Sequence, residues 1–139
     1  MREDAAAFVG THDFATFRAA HCQASSTVRT MESVRVRGEP APFGPPGDPG
    51  RPTSEADDVV VVDVVGQAFL YNMVRIMVGT LVEVGLGRRP STWVEGLLAT
   101  VAPRGEAGPT APACGLTLVE VRWPGARAKH LPRDTEGVA

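Results

Sequence analysis

Arg75 is the residue in this sequence with the strongest claim on chemistry. It stands among Met73, Val74, Ile76, Met77 and Val78. A guanidinium is a permanent cation with five donors in a rigid fork. If it is buried it needs an anion nearby, because an unpaired buried charge is very costly. Two readings follow from the residues alone. In the first, Arg75 belongs to an ordinary core helix and reaches solvent or pairs with Asp63. In the second, Arg75 is a functional arginine. Arg88 and Arg89 also stand out, at a corner between two helical stretches. Arginines there suit phosphate contacts, and they equally suit the negative end of a helix dipole. His12 and Asp13 read as a cap and a local hydrogen bond. The spacing of His12, His21 and Cys22 fits no usual metal site.

The stretch 66–87, GQAFLYNMVRIMVGTLVEVGLG, has to position Arg75. Wound at 3.6 residues per turn, Phe69 to Leu86 places Leu70, Met73, Val74, Met77, Val78, Leu81 and Val84 on one broad apolar face. Asn72, Arg75, Gly79 and Glu83 fall on the opposite strip. Gly79 costs roughly 1 kcal/mol relative to Ala in mid-helix, which is tolerated where something must approach the helix backbone. Gly87 and Pro90 stop this helix. Ser91 then caps a second one over roughly Thr92 to Val101, docked by Trp93, Leu97 and Leu98.

Upstream, Arg2 to Val9 reads as a short helix ended by Gly10. Asp13 reads as the N-cap of another, Phe14 to Ala20, with Phe14 and Phe17 entering the core. Ser25 to Gly38 alternates, with Met31, Ser33, Arg35 and Arg37 on one face and Glu32, Val34 and Val36 on the other, as in a half-exposed strand. The Gly/Pro-rich stretch 38–57 cannot form a ladder and reads as a long loop. The nearly continuous valines of Asp58 to Gly66 predict a strand buried on both faces and central in its sheet. Residues 102–114 form a second loop. Gly115 to Trp123 alternates again and predicts a third strand, and the polar stretch 125–139 reads as a flexible tail.

Composition sets the bounds. The chain has 139 residues, 43% of them hydrophobic, which suffices for one globular domain with a small core. Net charge is −2, giving no overall pull toward nucleic acid. Lys129 is the only lysine among 14 basic residues, so local arginine placement matters more than the total. Cys22 and Cys114 are isolated. With no secretory segment in view, they point to reduced thiols and a cytoplasmic protein. No uncharged apolar run is long enough to span a bilayer, so no membrane partner is expected.

Four ordered stretches resemble one family, the tRNA pseudouridine synthases of the TruA type. They are Gly10-Thr11-His12-Asp13-Phe14 with Phe17-Arg18; Gly66-Gln67-Ala68-Phe69-Leu70 with Met73-Val74-Arg75 and Val78-Gly79; Val84-Gly85 with Gly87-Arg88; and Ala111-Pro112-Ala113-Cys114-Gly115-Leu116-Thr117-Leu118. Their order and spacing are similar to the carboxy-terminal half of that family, over about Asp4 to Pro124. The resemblance implies an α+β fold, an antiparallel sheet backed by helices, forming one half of a two-domain enzyme whose halves join across a cleft. The domain would occupy residues 1–124.

The resemblance also implies a function. Such enzymes isomerise uridine to pseudouridine in the anticodon stem-loop of tRNA, work as homodimers, and need no organic cofactor and no metal. Arg75 matches the arginine that pairs with the catalytic aspartate. Phe69, Gly115 and Leu116 match segments lining the substrate pocket, with Leu116 either an apolar wall or a plain core leucine. His12, Arg18, Arg88 and Arg89 are the RNA-binding candidates. The nucleophilic aspartate belongs to an Arg-Thr-Asp-x-Gly motif in the amino-terminal half, and no such motif occurs here. Arg29-Thr30 is followed by Met31, and Arg133-Asp134-Thr135 has the wrong order. Tyr71 occupies a variable slot. The expectation is therefore a chain that is inactive alone and completed by an amino-terminal half, on the same or a separate chain. The alternative is a non-catalytic RNA-binding or dimerisation module.

Overall fold

The computed structural model describes residues 1–39 and 59–124. Most of the Gly/Pro-rich loop expected at 38–57, and the tail expected at 125–139, lie outside them. The described chain runs α1 (Arg2–Ala7), β1 (Gly10–Asp13), a 3₁₀ turn (Ala15–Phe17), β2 (Val28–Glu39), β3 (Val59–Gly66), α2 (Met73–Gly85) and α3 (Trp93–Thr100). Two further 3₁₀ turns follow, at Arg104–Glu106 and Ala113–Gly115. The strands form one antiparallel sheet in the order β1-β2-β3. Helix α1 packs on β2, α2 and α3. The architecture is the expected α+β, an antiparallel sheet backed by helices.

The core explains the element order. Phe8, Phe14 and Phe17 are fully buried together, with Phe8 and Phe17 edge to face at 5.1 Å. Met73, Ile76, Met77 and Leu81 of α2, and Val94, Leu97 and Leu98 of α3, close over them. Thr16 donates its hydroxyl to the Ala102 carbonyl at 2.5 Å, tying the first 3₁₀ turn to the end of α3.

Several expectations need correction. Gly10–Asp13 is a strand, and Asp13 does not cap a helix over 14–20. Its Oδ1 accepts from the Ala15 N–H at 3.0 Å and from the Thr27 hydroxyl at 2.5 Å, closing a short 3₁₀ turn instead. In β2 the register slips between Met31 and Ser33, so Glu32 is an extra residue. That bulge lets Met31 and Val34 both face the core, which strict alternation forbids. Strand β3 lies at the edge of the described sheet, with Val59 and Val60 exposed. Its valine run is therefore not buried on both faces. Helix α2 starts at Met73 rather than Phe69, and α3 is preceded by Thr92 with no side-chain cap.

The largest departure is the expected third strand. No described strand pairs with residues 116–123, and their apolar side chains are exposed: Leu118 by 77% and Trp123 by 70%. Alternation gives a segment two faces, but a strand also needs a ladder partner for its N–H and C=O groups.

Candidate active site

Arg75 sits on the first turn of α2, half-buried. The turn before it explains its posture. Asn72 adopts a left-handed conformation with φ 59°, which asparagine tolerates better than most residues. Its side chain does not cap the helix. Instead Asn72 Oδ1 accepts from Arg75 Nη1 at 3.1 Å. On the other side, Arg75 Nε donates to the Ala111 carbonyl at 2.7 Å, and the Ala111 N–H donates back to the Arg75 carbonyl at 3.0 Å. Two neutral acceptors thus fix the plane of the guanidinium. Nη2 has no partner among the described residues, and no ion pair to Arg75 forms among them. The expected Asp63 partner is taken. Arg37 Nε donates to Asp63 Oδ2 at 2.7 Å across β2 and β3, and Arg37 also pairs with Glu39. Arg75 is therefore held by Asn72 and Ala111, with no anion paired to it among the described residues.

The glycine on the opposite strip supplies the approach route. A β-carbon on Gly79 would collide with the Pro109 carbonyl. One on Gly108 would stand 2.6 Å from Thr80 Cα and 2.7 Å from the Gly79 carbonyl carbon. Only two glycines facing each other allow segment 108–111 to lie against the helix backbone. The buried Thr80 hydroxyl, donating to the Ile76 carbonyl, accepts from the Gly108 N–H at 3.0 Å. Arg104 forks onto the same segment, Nη1 to the Gly108 carbonyl at 3.0 Å and Nη2 to Thr110 Oγ1 at 3.1 Å. The segment then leads through Pro112 to Gly115 and Leu116. Leu116 is 52% exposed, which removes its reading as an ordinary core leucine. Phe69, on the loop before α2, is 41% exposed.

The other candidates stand apart. Arg88 pairs with Glu83 at 3.0 Å, and Arg89 lies 4.8 Å from the Trp93 ring centre. Both follow the far end of α2, roughly 20 Å along its axis from Arg75. His12 bonds the Val9 carbonyl through Nε2 at 2.9 Å and shares a cleft of 440 Å³ with Glu3, Ala7, Glu95, Leu98 and Ala99. Arg18 lies with Arg29 near Cys22. The backbone N–H groups of Ala24 and Tyr71 lower the Cys22 thiol below its ordinary value, and the two arginines add to the effect. Ala19 N–H donates to the Tyr71 carbonyl at 3.2 Å, so this corner adjoins the turn that carries Asn72. No group of metal-binding side chains occurs among the described residues, and no described helix is long and apolar enough to cross a membrane.

Neither Asn72 nor Arg104 stands among the site candidates drawn from the sequence. Asn72 was legible as the polar neighbour three residues before Arg75 on one helix face. Arg104 sits in a Pro/Gly/Ala loop whose composition carries no signal for its partners.

Comparison with known proteins places these features in context. A family model described as tRNA pseudouridine synthase matches residues 5–124. Proteins named tRNA pseudouridine synthase A are similar over most of the chain. That of Myxococcus xanthus is 45% identical over 139 residues, covering 98% of this chain and 46% of the relative. That of Syntrophotalea carbinolica is 47% identical over 123 residues, covering 88% and 42%. That of Pseudomonas aeruginosa is 42% identical over 125 residues, covering 90% and 38%. The chain thus spans less than half the length of these relatives.

Proposed function

The chain belongs to the tRNA pseudouridine synthase family, and from that premise we propose that it supplies the carboxy-terminal half of the catalytic cleft of such an isomerase. The observation that carries the reading is the guanidinium of Arg75, fixed by Asn72 and Ala111 and lacking an ion pair among the described residues. A carboxylate borne by an amino-terminal segment completes it. Domain limits of 1–124 follow from this reading.

The chemistry assigns Arg75 its task. Isomerisation breaks the bond from N1 of uracil to C1′ of the ribose and forms a bond from C5 to C1′. The proton leaves C5 and N1 gains one, so the reaction needs no external oxidant or reductant, and the proposal includes no cofactor. The aspartate must be ionised to attack the substrate or to stabilise charge on it. A guanidinium at bidentate distance keeps it ionised and fixes its direction. Arg75 touches the nucleophile and the pocket wall is built by Phe69, Gly115 and Leu116. The uridine must leave its stack to enter. Arg18, Arg88 and Arg89, with His12, contact the backbone of the RNA, whose shape carries most of the recognition. The proposed substrate is the anticodon stem-loop of tRNA, and the proposed assembly a cytoplasmic homodimer of completed enzymes.

Complementation tests this. The chain is mixed with a separately produced amino-terminal segment of the Myxococcus xanthus relative, and pseudouridine is measured in tRNA. Product from the mixture and none from either part alone is the expected result. Salt-dependent tRNA binding by the chain, with no product from a folded mixture, would leave a non-catalytic RNA-binding module.

A further inference from the structure

We infer that Arg104 is a positioning residue for Arg75, acting through the turn 108–111; the inference rests on the catalytic reading of Arg75 proposed above. The bonds run in sequence. Arg104 Nη1 and Nη2 hold the Gly108 carbonyl and the Thr110 hydroxyl, at 3.0 and 3.1 Å. Ala111 follows Thr110 directly. Its carbonyl takes Arg75 Nε at 2.7 Å and its N–H bonds the Arg75 carbonyl at 3.0 Å. The turn between them contains Gly108, Pro109 and Thr110 and forms no ladder. Gly108 is anchored by Thr80 Oγ1, and Pro109 rests on Gly79. Between that anchor and Ala111, the side-chain hold on the turn among the described residues is the Arg104 fork.

A planar guanidinium fixes the separation and direction of two acceptors at once, which a flexible ammonium cannot do. Remove the fork and Thr110 is free to rotate. The Ala111 carbonyl then ceases to define the plane of Arg75. A guanidinium still present but turned by a small angle no longer meets an incoming carboxylate with two parallel bonds. Small misplacements of this kind lower turnover by about 100-fold. Arg104 on this loop therefore governs the aim of Arg75 on α2 without touching substrate.

The test reads the Arg75 Nε proton directly by nitrogen-edited NMR of the full 139-residue chain, assigned by its disappearance in Arg75→Lys. In the unsubstituted chain the signal exchanges slowly with solvent. In Arg104→Gln the slow signal is lost while the amide pattern of the sheet stays unchanged. Should Arg104→Gln unfold the chain, Thr110→Val replaces it. That variant removes one arm of the fork and gives about fivefold faster exchange of the same proton. Retention of a slow Arg75 Nε proton in the folded variant overturns the inference, as does its absence from the unsubstituted chain. In the complemented enzyme, Arg104→Gln lowers kcat with KM for tRNA held within about twofold. If the proton behaves as expected and no mixture makes pseudouridine, the positioning role stands and the catalytic reading falls.

Discussion

Gly79 of α2 and Pro109 of the crossing segment meet backbone to backbone, so closely that a β-carbon on Gly79 would overlap the Pro109 carbonyl. The contact lies one helical turn beyond Arg75 and two residues before Ala111, the acceptor of Arg75 Nε. A glycine that weakens the helix thus brings a loop carbonyl to the arginine that needs orienting.

Gly79→Ala weighs two opposed effects. Alanine favours the helix by roughly 1 kcal/mol. Forcing a methyl group into a filled backbone contact costs about 1–3 kcal/mol. The overlap is with main chain, which has no rotamer to yield, so the second effect wins. Thermal unfolding should show a Tm lowered by roughly 3–8 °C. An unchanged or raised Tm would mean that the segment does not rest on the helix.

Thr80→Val keeps the shape and removes the hydroxyl. The Gly108 N–H then loses its buried acceptor, a loss of about 1–3 kcal/mol. Thr80→Ser keeps the hydroxyl and loses one methyl group, about 1 kcal/mol. Denaturant titration should rank Val below Ser. The reverse order would show that packing, not the bond to Gly108, is what Thr80 contributes.

The fold and the site differ in how far the sequence discloses them. The apolar periodicity around Met73, Met77 and Leu81 is a local property, and α2 could be read from it. So could the glycine at 79, because a mid-helix glycine asks for a close neighbour. The identity of that neighbour is set by tertiary folding and could not be read. Strand β1 was missed because four residues with one histidine and one aspartate carry no period. The β2 bulge was missed because alternation assumes that no residue is inserted. Residues 116–123 illustrate the converse: the strand pattern is plain, and no described strand pairs with it. That the charge of Arg75 is at odds with its neighbours was legible; the source of an anion for it was not, because the residues alone left Asp63 open as its partner.

Cys22 offers a pH-dependent readout. Backbone N–H groups of Ala24 and Tyr71 favour its thiolate, with smaller help from Arg18 and Arg29. In a Cys114→Ser background, alkylation by iodoacetamide should reach half-maximal rate at lower pH in the folded chain than in urea. Arg18→Gln should raise that midpoint only slightly, since the backbone donors remain. The folded thiol loses its proton more readily, so folding gains from it as pH rises. The contribution is complete above the unfolded thiol's value and is lost as pH falls through the folded one. Equal midpoints in the folded and unfolded chain would contradict this arrangement.

Strand β3 predicts behaviour in solution. Val60 is 58% exposed at the edge of the described sheet, and an apolar edge strand is a template for pairing with another chain. Sedimentation of the isolated chain should show concentration-dependent association, reduced by Val60→Lys. The substitution lies on the surface, so stability should change by no more than about 0.5 kcal/mol. Association unaffected by the lysine would place the contact elsewhere.

Arg75→Lys separates charge from geometry. The ammonium keeps the cation but cannot hold Ala111 and Asn72 while offering two parallel bonds to a carboxylate. If Arg75 only neutralised charge, lysine would serve nearly as well. If it aims a nucleophile, turnover should fall by about 100-fold or more while tRNA binding stays within about threefold, because phosphate contacts are additive and one cation is retained. Complementation assays with Lys and Gln at this position, read alongside tRNA affinity at fixed salt, distinguish the two. Lysine close to the original in turnover would make the cation, and not its fork, the functional element. Lysine as inactive as glutamine, with binding preserved, would leave the fixed plane of the guanidinium as what the helix, Asn72 and the crossing segment are built to present.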